Sequence, residues 1–273
     1  MNKINIGFIG GGNMSRSLIG GLIADGMAAE HLFVSEPDEK RRSALAADFP
    51  VHTTANNQEI VQQCDVVVLA VKPQVLKDVT TTLQTGQREN QLFLTIAAGI
   101  RTRSLHNWLG ENTPIVRAMP NTPALVQSGA TALYASPQVS EEQRNIAESI
   151  MRAVGLVQWL EKEALMDAVT ALSGSGPAYF FLVMEAMEQA GRELGLPEET
   201  ARLLTIQTAF GAARLALEIE QDPAVLRENV TSPGGTTERA IAALREGGLE
   251  ALFSKALTAA RDRAVELADE LGK

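Results

Sequence analysis

The sequence contains a single cysteine, Cys64, which excludes an intramolecular disulfide and any metal site built from cysteine thiolates. One thiol just ahead of an apolar strand reads as a packing residue and suits a reducing compartment. Runs of lysine or arginine are missing too, and a net charge of -9 with a pI near 5.0 argues against general affinity for nucleic acid. Any anion this protein binds must be held locally. The sequence has no apolar stretch long enough to span a bilayer and no basic-then-apolar leader at its first residues, so no membrane association and a cytoplasmic location are expected. No lysine occurs from Glu163 to Ala251, and all three histidines, His31, His52 and His106, lie in the first half, at predicted element edges or in helices where structural roles suit them. No group of residues has metal-ligand spacing, and no metal is expected. What is plentiful is apolar residue: at 45% of 273 positions it suffices for one large core or two moderate ones.

That apolar content has two periodicities. From Ile4 to about Leu160, short apolar runs alternate with helical segments, the βαβ rhythm of an open parallel sheet. The strands are expected at Ile4–Ile9, Leu32–Ser35, Val51–Thr53, Asp65–Val71, Leu92–Ala97, Ile115–Ala118, Thr131–Tyr134 and Leu156–Leu160. The unbroken β-branched run in "DVVVLAV" fits a strand covered on both faces. After Glu161 long helical patterns rich in Ala, Leu and Met take over. The expected fold is therefore α/β: a Rossmann-like doubly wound sheet over residues 1–162, and an all-α domain over 163–273. In the second half Phe180 to Met187 is apolar on almost every side, starting after Pro177, which a first helical turn tolerates. Leu249 to about Leu271 reads as a final amphipathic helix. A helical domain of this size gains limited burial alone, so packing against a second copy is expected.

The first strand runs into Gly10-Gly11-Gly12-Asn13-Met14-Ser15, a G-x-G-x-x-S corner followed by a helix to about Asp25. In a dinucleotide fold the first glycine makes the turn and the second admits the pyrophosphate. The third position needs a small residue, here Ser15 in place of Gly or Ala. Free N–H groups of the helix start would hold the pyrophosphate without a basic side chain. The second strand ends "FVSEPDEKRR". Glu36 suits the ribose 2′-hydroxyl of NAD, whereas Ser35 with Arg41 and Arg42 suits the 2′-phosphate of NADP, so this segment leaves the cofactor open.

Five further stretches resemble segments of one family, pyrroline-5-carboxylate reductase, the last enzyme of proline biosynthesis. They are "LAVKPQ" (Leu69–Gln74), "TIAAGI" (Thr95–Ile100), "RAMPNTPA" (Arg117–Ala124), "ALSGSGPAYFF" (Ala171–Phe181) and the most specific, "NVTSPGGTTERAIAALRE" (Asn229–Glu246). The resemblance runs from residue 6 to about 246. It implies NADPH as the preferred cofactor, with NADH left open, and a homodimer whose further assembly stays open. The site would lie between the domains. Loops at the C-terminal ends of parallel strands form the ligand crevice. Ala70, Lys72 and Pro73 fall at such an end, as do Ala97 and Gly99, small enough to admit the nicotinamide, and Asn121, suited to bond the cofactor. Pro and Gly also simply end strands, and Lys72 also reads as a surface charge. Asn57 looks like the family's position beside the adenosine ribose.

Reduction of a ketone by hydride needs a proton donor such as His or Lys, and the helical half offers only the flanking Lys162, Lys255 and Lys273. A protonated cyclic imine is already electrophilic at carbon and becomes a neutral amine, so the missing acid favours imine reduction. In "TSPGGTT" two glycines and a proline precede a helix beginning near Thr236, a backbone geometry that suits an anion. The resemblance assigns Ser232, Gly234, Gly235 and Thr236 to the substrate carboxylate and Thr237 to the ring nitrogen, giving L-proline as product. It also places Glu220 near the substrate, where it would hold a water or the protonated nitrogen, or else solvate a helix end. Ser175 would lie near cofactor or substrate. Tyr179 is a phenolic acid in an apolar setting that favours packing. A β-hydroxyacid dehydrogenase would need a lysine on the long helix. A related cyclic-imine reductase, or a non-catalytic NADP-binding sensor, remains as an alternative.

Overall fold

The computed structural model describes residues 4–83, 88 and 90–273. Among these residues eight strands form one sheet in the order β3-β2-β1-β4-β5-β6-β7-β8: β1 Ile6–Ile9, β2 Leu32–Ser35, β3 His52–Thr54, β4 Val66–Leu69, β5 Leu92–Thr95, β6 Ile115–Met119, β7 Gly129–Ala135 and β8 Gly155–Trp159. All eight expected strands are present: β2 has the expected ends, and the ends of the others differ by at most two residues.

β1 to β6 are parallel, in register Ile9 opposite both Ser35 and Leu69, and Leu69 opposite Thr95. The expected all-parallel run breaks at β7, which pairs antiparallel with β6. The physical reason is the connection. Between Met119 and Gly129 the chain makes only a 3-10 turn, Thr122–Val126, ending on Gln127 at φ +56°, and a parallel return would need a full crossover helix.

The pleat divides the apolar residues between two faces. Ile6, Phe8, Val66, Val68, Leu92 and Leu94 meet helices α1 (Asn13–Ala24) and α6 (Glu141–Arg152). Ile9, Val67, Leu69 and Phe93 meet α3 (Asn57–Gln63), α4 (Pro73–Thr81) and α5 (Thr102–Leu109). Each fully buried Leu, Ile or Phe contributes about 1.5–3 kcal/mol, so two covered faces hold the sheet rigid. Gly7 lets α3 lie directly on β1, since a Cβ there would run into Ile60 and Cys64. The remaining helix beside the sheet is α2 (Glu39–Asp48), capped by the Asp38 carboxylate on the Arg41 N–H.

A first compact unit comprises residues 1–175 and 259–273, a second residues 176–258. Packing therefore groups residues 163–175 and the end of the last helix with the sheet, where periodicity groups them with the helices. In the second half the elements are α7 (Leu165–Val169), a π-helical turn (Thr170–Gly174), α8 (Gly176–Glu193), α9 (Glu198–Glu218), α10 (Pro223–Asn229), α11 (Thr236–Glu246) and α12 (Leu249–Leu271). Pro177 is the second residue of α8, in the first turn as expected, and the π turn that follows α7 ends just before that helix begins. Among the described residues no helix is long and apolar enough to cross a membrane.

Candidate active site

The order β3-β2-β1-β4 reverses direction at β1, and the glycine corner sits at that switch point. Gly10 has φ +103°, and a Cβ on it would stand 2.8 Å from the Ala70 carbonyl oxygen. Its N–H bonds the Ser35 carbonyl at 2.9 Å. Ser15 is fully buried and donates its hydroxyl to the Gly10 carbonyl at 2.6 Å. The third motif position is thus a hydrogen-bonding stitch across the corner, a role its small size alone did not indicate. Gly12 occupies the N-cap of α1 with no side-chain cap and nothing within 4 Å of a would-be Cβ. The first-turn amides of Asn13 and Met14 are left for an external anion.

A groove of 450 Å³ opens here, lined by Gly11, Gly12, Asn13, Arg16, Arg41 and Ala44. The charged run on β2 divides its labour around this groove. Glu36, 7% exposed, accepts the N–H groups of Gly11 and Asp38, both at 3.1 Å, so each of its oxygens is engaged by backbone. Arg42 donates to the Glu36 carbonyl at 2.8 Å, Arg16 pairs with Asp48, and Arg41 faces the groove. The Ser35 hydroxyl donates to Asn57 at 2.5 Å, joining the end of β2 to the start of α3. These residues have the uncapped helix start, the open approach and the cation that a dinucleotide phosphate requires.

Further along the same edge, Lys72 is exposed at the N-cap of α4, Pro73 opens that helix and Ala70 is half-buried. Ala97 is buried, and Gly99 has φ +71°; a Cβ on it would stand 3.5 Å from Leu267 and Ala268. Asn121 is bonded at both ends of its amide: it accepts the Ala130 N–H at 2.9 Å and donates to the Ser173 carbonyl at 3.1 Å. Ser173 stands four residues before Pro177, which has no N–H to give it. Asn121 supplies the missing donor. Ser175 ends the π turn, its N–H on the Thr170 carbonyl at 2.8 Å. Tyr179 is half-buried.

In the second unit, Ser232, Gly234, Gly235, Thr236 and Thr237 form one turn into α11. Gly234, at φ +71°, donates its N–H to Glu238 Oε2 at 2.7 Å, and the Gly235 N–H bonds the Ser232 carbonyl at 2.9 Å. Both glycine amides are therefore satisfied within the chain. Gly235 is the N-cap and offers no side chain, so the unpaired donors are the first-turn amides of Thr236, Thr237 and Glu238. The free amides therefore begin one residue later than the two glycines suggest. Glu238 was the residue missed, and its signal was an acid at the third helical position after Gly-Gly. Glu220 is exposed between α9 and α10, and no hydrogen bond among the described residues joins it to this turn.

Residues 163–267 match the family model described as pyrroline-5-carboxylate reductase dimerisation, and residues 5–99 match one described as NADP oxidoreductase, coenzyme F420-dependent. A pyrroline-5-carboxylate reductase of Pseudomonas aeruginosa is 52% identical over 273 residues, all of both chains. One of Vibrio alginolyticus is 42% identical over 98% of each. Among solved structures, a pyrroline-5-carboxylate reductase from Coxiella burnetii shares 51% identity with a TM-score of 0.94, over 97% of this chain and 99% of that one. The Plasmodium falciparum pyrroline carboxylate reductase with NADP bound shares 29% identity with a TM-score of 0.86, over 98% and 99%.

Proposed function

The chain belongs to the pyrroline-5-carboxylate reductase family and reduces the C=N bond of 1-pyrroline-5-carboxylate to proline, and from that premise we propose how its residues share the work. Two glycine-capped helix starts carry this reading: α1 has no side-chain cap and would take a pyrophosphate, and α11 has none and would take a carboxylate.

NADPH is the preferred cofactor in this proposal, and when bound it supplies the hydride. Arg41 lines the groove beside the glycine corner and would receive the 2′-phosphate, while Glu36 is held inside by two amides and is not offered to a ribose diol. Gly10, Gly12, Asn13 and Met14 shape the pyrophosphate position, Ser35 and Asn57 border the adenosine ribose, and Ala70, Lys72, Pro73, Ala97, Gly99 and Asn121 build the nicotinamide side. In the helical unit the amides of Thr236 to Glu238, with Ser232, Gly234 and Gly235 fixing the turn, hold the substrate carboxylate. The Thr237 hydroxyl orients the protonated ring nitrogen. Hydride reaches the imine carbon, the C=N π pair moves to nitrogen, and the product is a neutral amine that needs no acid in the step itself. Ser175 and Glu220 stand as supporting contacts, Glu220 through water. The active species is a homodimer, and a cytoplasmic setting suits the single buried thiol.

The test is loss of NADPH absorbance on adding 1-pyrroline-5-carboxylate to the full-length protein, with NADH and a six-membered cyclic imine in parallel. Turnover to proline, fastest with NADPH and the five-membered ring, is expected. Replacing Thr237 with alanine should lower kcat about 10- to 100-fold, the value of one charge-assisted hydrogen bond. Equal rates with NADH would refute the role given to Arg41, and full activity of Thr237→Ala the role given to Thr237.

A further inference from the structure

One buried ionic cluster has no part in the scheme above. Arg117, on β6 and 6% exposed, donates to Glu163 at 2.7 Å. The same carboxylate accepts the Thr102 N–H at 2.6 Å and the Thr102 hydroxyl at 2.8 Å. Three donors converge on one acid, which lies 61 positions along the chain from Thr102.

Thr102 is the first residue of α5, whose N-cap is Arg101, a residue unable to cap. Glu163 does that work from a distance and brings the negative charge a helix start favours. A local serine or aspartate at position 101 would have capped the helix without any link to residue 163. The remote cap ties the turn from Ala97 to Arg101 to the segment that leads into the π turn. The same turn is held at other points: the Ala97 N–H bonds Thr95 Oγ1 at 3.2 Å and Arg101 pairs with Asp269 at 2.7 Å, while the gap between Gly99 and Leu267 and Ala268 is only wide enough for a methyl group. Arg117 in turn fixes the carboxylate to the sheet.

We propose that Glu163 is a positioning residue of the reductase: through Thr102 it sets the Ala97–Gly99 turn in the geometry that receives the nicotinamide. The proposal rests on that turn bordering the nicotinamide, as assigned above.

The experiment compares full-length wild-type, Glu163→Ala and Glu163→Gln proteins by NADPH fluorescence titration without substrate, by steady-state kinetics and by thermal melting, with assays well below each melting temperature. For Glu163→Ala the NADPH Kd should rise and kcat fall, each about 5- to 10-fold, with KM for 1-pyrroline-5-carboxylate within about 2-fold of wild type. Glu163→Gln keeps an acceptor for the Thr102 N–H and Arg117 and turns its NH2 toward the Thr102 hydroxyl, so its Kd should stay within about 2-fold of wild type even though the buried arginine loses its counter-charge and the melting temperature drops. Wild-type Kd and kcat in Glu163→Ala would overturn the proposal whatever the melting temperature, as would equal impairment of both variants. Should Glu163→Ala not fold, Thr102→Val, which deletes only the hydroxyl bond, should shift Kd in the same direction by a smaller factor; no shift there overturns the idea. A wild-type protein that binds NADPH without reducing the imine would sink the functional reading and leave the Kd comparison standing.

Discussion

Two glycines of one motif are there for different reasons, and substitution separates them. Gly10 is required by the fold, because φ +103° and the Ala70 carbonyl at 2.8 Å both reject a side chain. Gly10→Ala should cost about 2–3 kcal/mol of stability, visible as a lower melting temperature before any ligand is added. Gly12 has an ordinary φ of -74° and open space, so the fold tolerates a methyl group. Gly12→Ala should melt like wild type and lose about 10-fold in NADPH affinity by titration, because the methyl obstructs the approach to the α1 amides. Cys64 tells a related story about burial. Desolvation first, then the neighbouring Asp65 charge, push its thiol up to about 12. At pH 8 the native thiol should resist iodoacetamide and react only after denaturation. The folded value exceeds the unfolded one of about 8.5, so the thiol's stabilising contribution is complete below that pH and declines as pH rises from there towards 12, which alkaline melting curves should register.

At the scale of elements, legibility followed locality. The strands were readable because a pleated, doubly covered strand writes an unbroken apolar run such as Val66–Leu69, and the helix starts at Asn13 and Thr236 were readable from glycine-rich turns. Three features were not readable, since each depends on partners distant in sequence. The reversal of β7 follows from a connection too short for a crossover, the cap of α5 comes from Glu163, and the Ser173 carbonyl, which Pro177 cannot serve, takes its donor from Asn121. In the candidate site the sequence indicated the glycine turns and missed which amides they leave unpaired. Asn121→Asp tests the proline substitution directly. The carboxylate still accepts the Ala130 N–H but has no donor for the Ser173 carbonyl and repels it, so stability should fall by about 1–3 kcal/mol in denaturant titration. Asn121→Asp melting like wild type would mean that the π turn holds itself.

For the whole molecule, the single chain leaves too much apolar surface uncovered in its helical unit. Phe180, Phe181 and Leu182 are 67%, 63% and 65% exposed, and Leu203, Leu204 and Phe210 on α9 are more than half exposed as well. Three successive residues on a helix span more than half its circumference, so no single neighbouring face within one chain covers them all. A patch of this kind on an isolated chain marks an interface, in agreement with the dimerisation family that spans residues 163–267. Phe180→Arg separates this from ordinary surface hydrophobicity. In the isolated chain the ring is mostly solvated, so the change should leave the monomer's fold intact, whereas in a dimer it buries an unpaired charge at a cost of several kcal/mol. Light scattering at micromolar concentration should find wild type at twice 29.2 kDa and Phe180→Arg at 29.2 kDa. Wild-type melting temperature should rise with protein concentration, as mass action on a dimer demands, and that dependence should vanish in the variant. A variant that keeps both the dimer mass and the concentration dependence would place Phe180 outside the interface and shift the covering surface to α9.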